Sequence, residues 1–102
     1  MFVGLNMEKP DRWVICRITA DGEHVDKVLA GWYGGYAGGD EWRMSSEIVR
    51  REDCGDFYDF HTHSGNVYRC YKGAKGMSGY TQSIFNSYAK QNTDTIHIKV
   101  ID

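Results

Sequence analysis

The sequence predicts an α+β fold: a mostly antiparallel sheet of five or six strands, arranged as a β-meander, with one helix in the C-terminal half packed on it and a final strand after the helix. Three observations predict it. Val and Ile together number fourteen and aromatics make up 14% of the 102 residues, whereas Leu occurs only at positions 5 and 29. β-Branched and aromatic side chains fit a pleated surface, and a helical bundle needs more Leu than this. Short alternating runs separated by Gly, Asp and Asn recur along most of the chain, which is the pattern of strands and turns. One segment alone, beginning near Ser78, repeats its apolar residues at helical spacing.

The elements follow in order. Residues 1–11 read as a lead-in closed by Pro10, and residues 12–102 as a single domain. Trp13 to Thr19 forms the first strand, and Asp21-Gly22 is a two-residue hairpin turn because Gly tolerates positive φ. That turn sets Ile18 opposite Val25, Arg17 opposite Asp26 and Val14 opposite Leu29. Apolar then meets apolar and cation meets anion. The rival is a short helix over residues 22–30, since Val25, Val28, Leu29 and Trp32 also fit helical spacing; the cross-strand pairs favour the hairpin. Residues 31–39 hold five glycines and three aromatics and read as a loop. Trp42 to Arg51 alternates as one strand, broken by a bulge near Ser45 and Ser46. The turn from Asp53 to Asp56 leads into Phe57 to Thr62, and a three-residue loop, Ser64-Gly65-Asn66, returns the chain through Val67 to Tyr71. This loop predicts Phe60 opposite Cys70 and Thr62 opposite Tyr68 on the buried face. Asp59, His61, His63, Arg69 and Tyr71 then lie on the other. A second glycine-rich loop spans residues 72–79. Ser78 or Thr81 caps the helix that follows, whose inner face holds Met77, Tyr80 or Thr81, Ile84, Phe85, Tyr88 and Ala89, and Asn92 reads as a left-handed stop. Ile96, Ile98 and Val100 share one face of the last strand. One helix cannot cover such a sheet, so part of a face is left wet or open to a partner.

Composition excludes some functions. No apolar run is long enough to span a bilayer, and the first ten residues lack the basic region and sustained apolar stretch of a secretory signal. Three widely spaced cysteines, Cys16, Cys54 and Cys70, make neither a disulfide framework nor a CxxC pair. Together these predict a cytoplasmic protein with reduced thiols. Net charge is −2, unevenly spread: residues 1–59 carry twelve acids and seven bases, whereas residues 60–93 carry four bases and no acid. Tyr68, Arg69, Tyr71, Lys72 and Lys75 interleave rings and charge, but with a pI near 6.0 they fall short of a nucleic-acid footprint, and nucleic acid is not expected as a partner.

Candidate sites rank as follows. Trp32, Tyr33, Tyr36 and Trp42 stand among glycines; Trp and Tyr are large, rigid and polar at one edge, which suits them to interfaces. The core reading of the same segment makes Trp32 and Trp42 anchors and leaves Tyr33 and Tyr36 as contacts. Lys72, Gly73, Lys75, Gly76 and Ser78 combine glycines, cations and a helix start, a combination that can hold a phosphorylated small ligand or nucleotide signal, although the spacing is not that of a Walker loop. His61 and His63 make a His-x-His pair whose rings would lie about 7 Å apart on one side of a strand and could share a metal with Asp59, His97 or His24. Cys54 lies among acids, which suppress thiolate, and no nucleophile elbow or metalloprotease motif is present. The reading is therefore a non-enzymatic binding protein without a cofactor, contacting a protein through the Gly/aromatic loop and an exposed sheet face. In size and style the chain is similar to accessory proteins of phages and mobile elements, which implies a modulator or inhibitor of a host protein.

Overall fold

The Asp21-Gly22 turn sets the central layer. The computed structural model describes residues 6–34 and 39–101. In it Asp21 and Gly22 both adopt positive φ, 52° and 83°, the conformation that matches the twist of two long strands. Those strands are β2 (Arg12–Ala20) and β3 (Glu23–Trp32), after the two-residue β1 (Met7–Glu8). Their register is the expected one, with Ile18, Arg17 and Val14 opposite Val25, Asp26 and Leu29. Residues 23–30 are strand and Gly22 is in the turn, so the rival helix does not form.

The strands divide into two sheets rather than one. β4 (Glu41–Met44) and β5 (Ile48–Asp53) are not one bulged strand. β4 pairs with β3, whereas β5 pairs with β6 (Phe57–Thr62) in the other sheet. The chain changes sheet at Ser45. Its N–H donates to the Val28 carbonyl at 2.9 Å, and its hydroxyl oxygen accepts from the Val28 N–H at 2.8 Å. This buried serine extends the ladder by one side chain and then releases the chain. β6 pairs with β7 (Val67–Tyr71), and β8 (Ile96–Ile101) pairs with β2. The orders are β1-β7-β6-β5 and β4-β3-β2-β8, antiparallel throughout except for β1 against β7.

The β6–β7 register differs from expectation by two residues: Phe60 faces Tyr68, and Tyr58 faces Cys70. Gly65 has φ 96° and its N–H bonds to the Thr62 carbonyl at 2.9 Å. The glycine thus closes the loop as its left-handed last residue, and the loop is His63-Ser64-Gly65. Because the shift is even, each side chain keeps its face. Phe60, Thr62, Tyr68 and Cys70 are buried as predicted.

Two apolar layers result. Trp13, Ile15, Val28 and Ala30 on one face of β2 and β3 meet Phe60, Tyr68 and Cys70 between the sheets. The alternate residues Val14, Cys16 and Leu29, with Ile98, face the helix α1 (Gly79–Ala89) through Met77, Phe85 and Ala89. Ser78 is the helix cap, accepting from the Thr81 N–H at 3.1 Å. Thr81 itself is buried against Gly31, where a Cβ would stand 2.5 Å from the threonine hydroxyl. The helix covers only the middle of the sheet: Ile98 is buried, but Ile96 and Val100 on the same face are exposed, and Tyr88 is 42% exposed at the border. Asn92 is not a left-handed stop, since Asp21 alone among the described non-glycine residues has positive φ. Its side chain instead accepts from the Ile98 N–H (2.9 Å) and donates to the Ile98 carbonyl (3.2 Å), satisfying part of the outer edge of β8.

Candidate functional site

The Gly/aromatic segment is anchored at both ends by tryptophan. Gly31 and Trp42 are cross-strand partners, as are Trp32 and Glu41, so alternation sends the two indoles to opposite faces of the sheet. Trp32 packs against the inter-sheet core, with its Nε1–H donating to the Lys9 carbonyl at 3.1 Å. Trp42 packs on the helix side, edge-on to Tyr88 at 6.1 Å. They do not form one surface. Tyr33 is 51% exposed, and Tyr36 lies outside the described residues. Carboxylates hold the loop at its base: the Tyr33 N–H donates to Asp11 Oδ2 (2.8 Å), and the Gly34 N–H donates to Asp40 Oδ1 (3.0 Å).

Beneath Tyr33 lies a cavity of about 330 Å³ lined by Glu8, Asp11, Trp32, Tyr33, Glu41 and Arg43. Arg43 pairs with Glu8 at 3.1 Å and lies over the Trp32 ring at 5.9 Å. The lining is three carboxylates and two aromatic rings around a guanidinium. Sequence reasoning missed Glu8, Asp11 and Glu41, two of which come from the lead-in. The one signal that pointed to them was the excess of acid in the first 59 residues.

Three backbone donors of the loop at residues 72–79 are spent within the chain. The N–H of Lys72 goes to the Asp56 carbonyl, that of Lys75 to the Lys72 carbonyl, and that of Gly76 to the Trp13 carbonyl at 2.7 Å. Gly76 has φ 134°, and the Arg12 guanidinium occupies the space a side chain would take; Arg12 also donates to the Lys75 carbonyl at 3.0 Å. Gly73 sits in a single 3-10 turn, and Ser78 is committed to the helix. The N–H groups of Lys72, Lys75 and Gly76 are thus engaged within the fold, and the lysine side chains converge. Lys72 Nζ bonds to Asp53 at 2.8 Å and stands 4.7 Å from the Tyr58 ring, while Lys75 Nζ is 5.8 Å from the Trp13 ring. Together with Arg51 they line a cavity of about 240 Å³ over Trp13 and Tyr58. Arg51, read in the sequence only as a strand residue, also borders a larger cleft of about 400 Å³ between the sheets, with Ile15, Ile48, Phe60 and Ile101 on its floor.

The histidines do not project side by side. His61 is on β6, its Nε2 2.6 Å from Glu52 and 3.2 Å from Arg50, whereas His63 is in the turn. Asp59 is held by two hydrogen bonds from Arg69, both 3.0 Å. Among the described residues no group of three His, Cys, Asp or Glu side chains is placed to hold a metal ion.

Arg17 donates twice to Asp26 at the cleft wall, at 2.9 and 3.1 Å. These bonds hold the Asp26 carboxyl below its ordinary range, and the charges of His24 and Arg51 add to the effect. The lowered value belongs to the folded state. The pair's contribution is therefore complete above the ordinary aspartate range and is lost as pH falls through the folded value, below about pH 4. Asp26→Asn is expected to reduce the loss of stability on acidification. Urea unfolding of both proteins at neutral and acid pH checks it, and equal acid losses would show that Asp26 does not contribute.

Comparison with protein-family models, curated proteins and solved structures gave no match. Function rests on the chemistry of the sites. Among the described residues no helix is long and apolar enough to cross a membrane.

Proposed function

We propose that the protein is a non-enzymatic binding module that takes a basic segment of a protein partner at the pocket beneath Tyr33. The observation that carries this reading is the grouping of Glu8, Asp11 and Glu41 with Trp32 and Tyr33 around one cavity; Arg43 offsets Glu8, so Asp11 and Glu41 supply the net negative charge. Arg43 over the Trp32 ring is an internal example of the chemistry: a guanidinium over an aromatic face gains about 0.5–1 kcal/mol when exposed, and carboxylates add charge-assisted hydrogen bonds. Tyr33 supplies a rigid ring that loses little entropy on contact. The outer face of the β1-β7-β6-β5 sheet contributes less, because Asp59–Arg69 and Glu52–His61 already close on one another. Occupying the basic surface of a host protein is the action this assigns to an accessory modulator or inhibitor, and reduced Cys16, Cys54 and Cys70 suit a cytoplasmic setting.

Peptides of matched length carrying Arg or Lys, Ala, or Glu at the same positions provide the test. The expected result is salt-sensitive binding of the basic peptides, weakened about tenfold, or 1.4 kcal/mol, by Tyr33→Ala and by Glu41→Gln. Equal binding of the neutral peptides, or no effect of either substitution, would sink the reading.

A further inference from the structure

The mouth between the two sheets holds a second site, independent of the pocket beneath Tyr33. We propose that it binds a small phosphate-bearing ligand of the nucleoside phosphate class, its phosphate between Arg51, Lys72 and Lys75 and its remainder along the apolar floor of the adjoining cleft.

Three observations combine. The first is a convergence of charge. Arg51 from β5 and Lys72 and Lys75 from the turn after β7 line one cavity of about 240 Å³. The basic turn belongs to the acid-free stretch, but the arginine comes from the acid-rich half of the chain, so the cluster is a product of folding. The second is the state of Arg51. Its guanidinium stands 4.8 Å from the Tyr58 ring and 5.3 Å from the Phe60 ring. It makes no hydrogen bond or ion pair with the described residues. The rings steady the plane of the group and leave its N–H donors at the edge, the arrangement that accepts a phosphate bidentately. The third is the shape of the site. Arg51 borders both the cationic cavity and the cleft of about 400 Å³ floored by Ile15, Ile48 and Phe60. The larger lobe is within the size range of small-ligand sites.

Electrostatics sets the orientation. In the larger lobe Arg17 already offsets Asp26, and Glu47 and His24 also line the wall, whereas the other end gathers three cations, so a phosphate is drawn to the Arg51 end. Glu47 suits instead the hydroxyl and amino donors of a nucleoside. Lys72 already holds an anion, the 60% exposed carboxylate of Asp53. Asp53 occupies one of the cations a ligand would use, and binding requires it to give way.

The test follows the backbone amides by NMR while ADP, adenosine or inorganic phosphate is added to the full chain. ADP is expected to shift residues of both lobes, Lys72 and Phe60 among them, and to bind more tightly than either fragment. Arg51→Gln is expected to weaken ADP about tenfold or more. Asp53→Asn keeps an acceptor for the Gly55 N–H but removes the negative charge paired with Lys72, and is expected to tighten ADP several-fold. A gain of binding cannot arise from misfolding, so this variant remains decisive if Arg51→Gln folds poorly. The proposal is overturned if ADP shifts neither lobe, if phosphate alone matches ADP, if Asp53→Asn fails to tighten binding, or if a single-stranded oligonucleotide or phosphopeptide binds where ADP does not.

Discussion

Trp13→Ala is expected to remove about 3–5 kcal/mol of stability, out of the roughly 5–15 kcal/mol a domain of this size possesses. Trp13 is 2% exposed. Its ring meets Tyr58 edge-on at 6.2 Å and Phe60 at 5.7 Å, both from the opposite sheet. Its Nε1–H donates to the Tyr71 carbonyl at 2.7 Å, so truncation leaves both a void and an orphaned acceptor. The same residue's carbonyl accepts the Gly76 N–H, and its backbone bridges to Lys75. One residue thus joins the two sheets through its side chain and holds the basic turn through its backbone. Trp13→Phe separates the effects, keeping a ring and losing the hydrogen bond, and should cost less than alanine. Urea unfolding at neutral pH is the measurement. A loss below about 1 kcal/mol for Trp13→Ala would show that the indole is not the joint.

Gly31→Ala is the second large effect. The added methyl would stand 2.5 Å from the Thr81 hydroxyl. Thr81 is buried in the first helical turn, and its oxygen accepts from the Ser78 hydroxyl at 3.0 Å. The hydroxyl cannot swing into solvent, so the helix must lift, at about 1–3 kcal/mol. Thr81→Ala removes the obstacle, and in that background Gly31→Ala should cost little, because alanine is otherwise the better strand residue by roughly 0.5–1 kcal/mol. A double-mutant cycle reads the coupling. Additivity within about 0.5 kcal/mol would mean the helix is not seated through this contact.

Particular residues show how far the sequence carried. Asp21-Gly22 determined the turn and hence the whole β2–β3 register, because a primed turn leaves no freedom of alignment. The β6–β7 faces were legible from alternation, but the register was not, since it depended on which residue of Ser64-Gly65-Asn66 took the left-handed position. The division into two sheets was hidden because the break at Ser45 and Ser46 in the alternation from Trp42 to Arg51 reads equally well as a bulge within one strand. Period two records a face and never says which sheet the face belongs to. Two residues at β1 are too few to show any period. The sites were harder still. Of the acidic pocket, Trp32 and Tyr33 were visible as aromatics among glycines, whereas Glu8 and Asp11 arrive as the lead-in passes from β1 in one sheet to β2 in the other, where the Asp11 N–H bonds to the Gly31 carbonyl at 2.9 Å. Lys72 and Lys75 were legible as a basic turn, but Arg51 reaches them only through the pairing of the sheet. Of the glycines in that turn, Gly76 serves the chain itself by admitting Arg12.

The placement of two cysteines gives the molecule built-in reporters. Cys16 lies in the layer under the helix and Cys70 in the layer between the sheets, each 0% exposed. Burial pushes the Cys16 thiol up to about 12 and raises Cys70 as well. Neither reacts with an alkylating agent until its own layer opens, because the thiolate is the reactive form. Exposed Cys54 offers a reference for reaction with no opening required. Timed alkylation followed by peptide mass spectrometry therefore reads two opening rates in one unmodified chain. Equal rates mean that the helix and the sandwich come apart as one cooperative unit; faster labelling of Cys16 means that the helix lifts first, while the sheets stay closed.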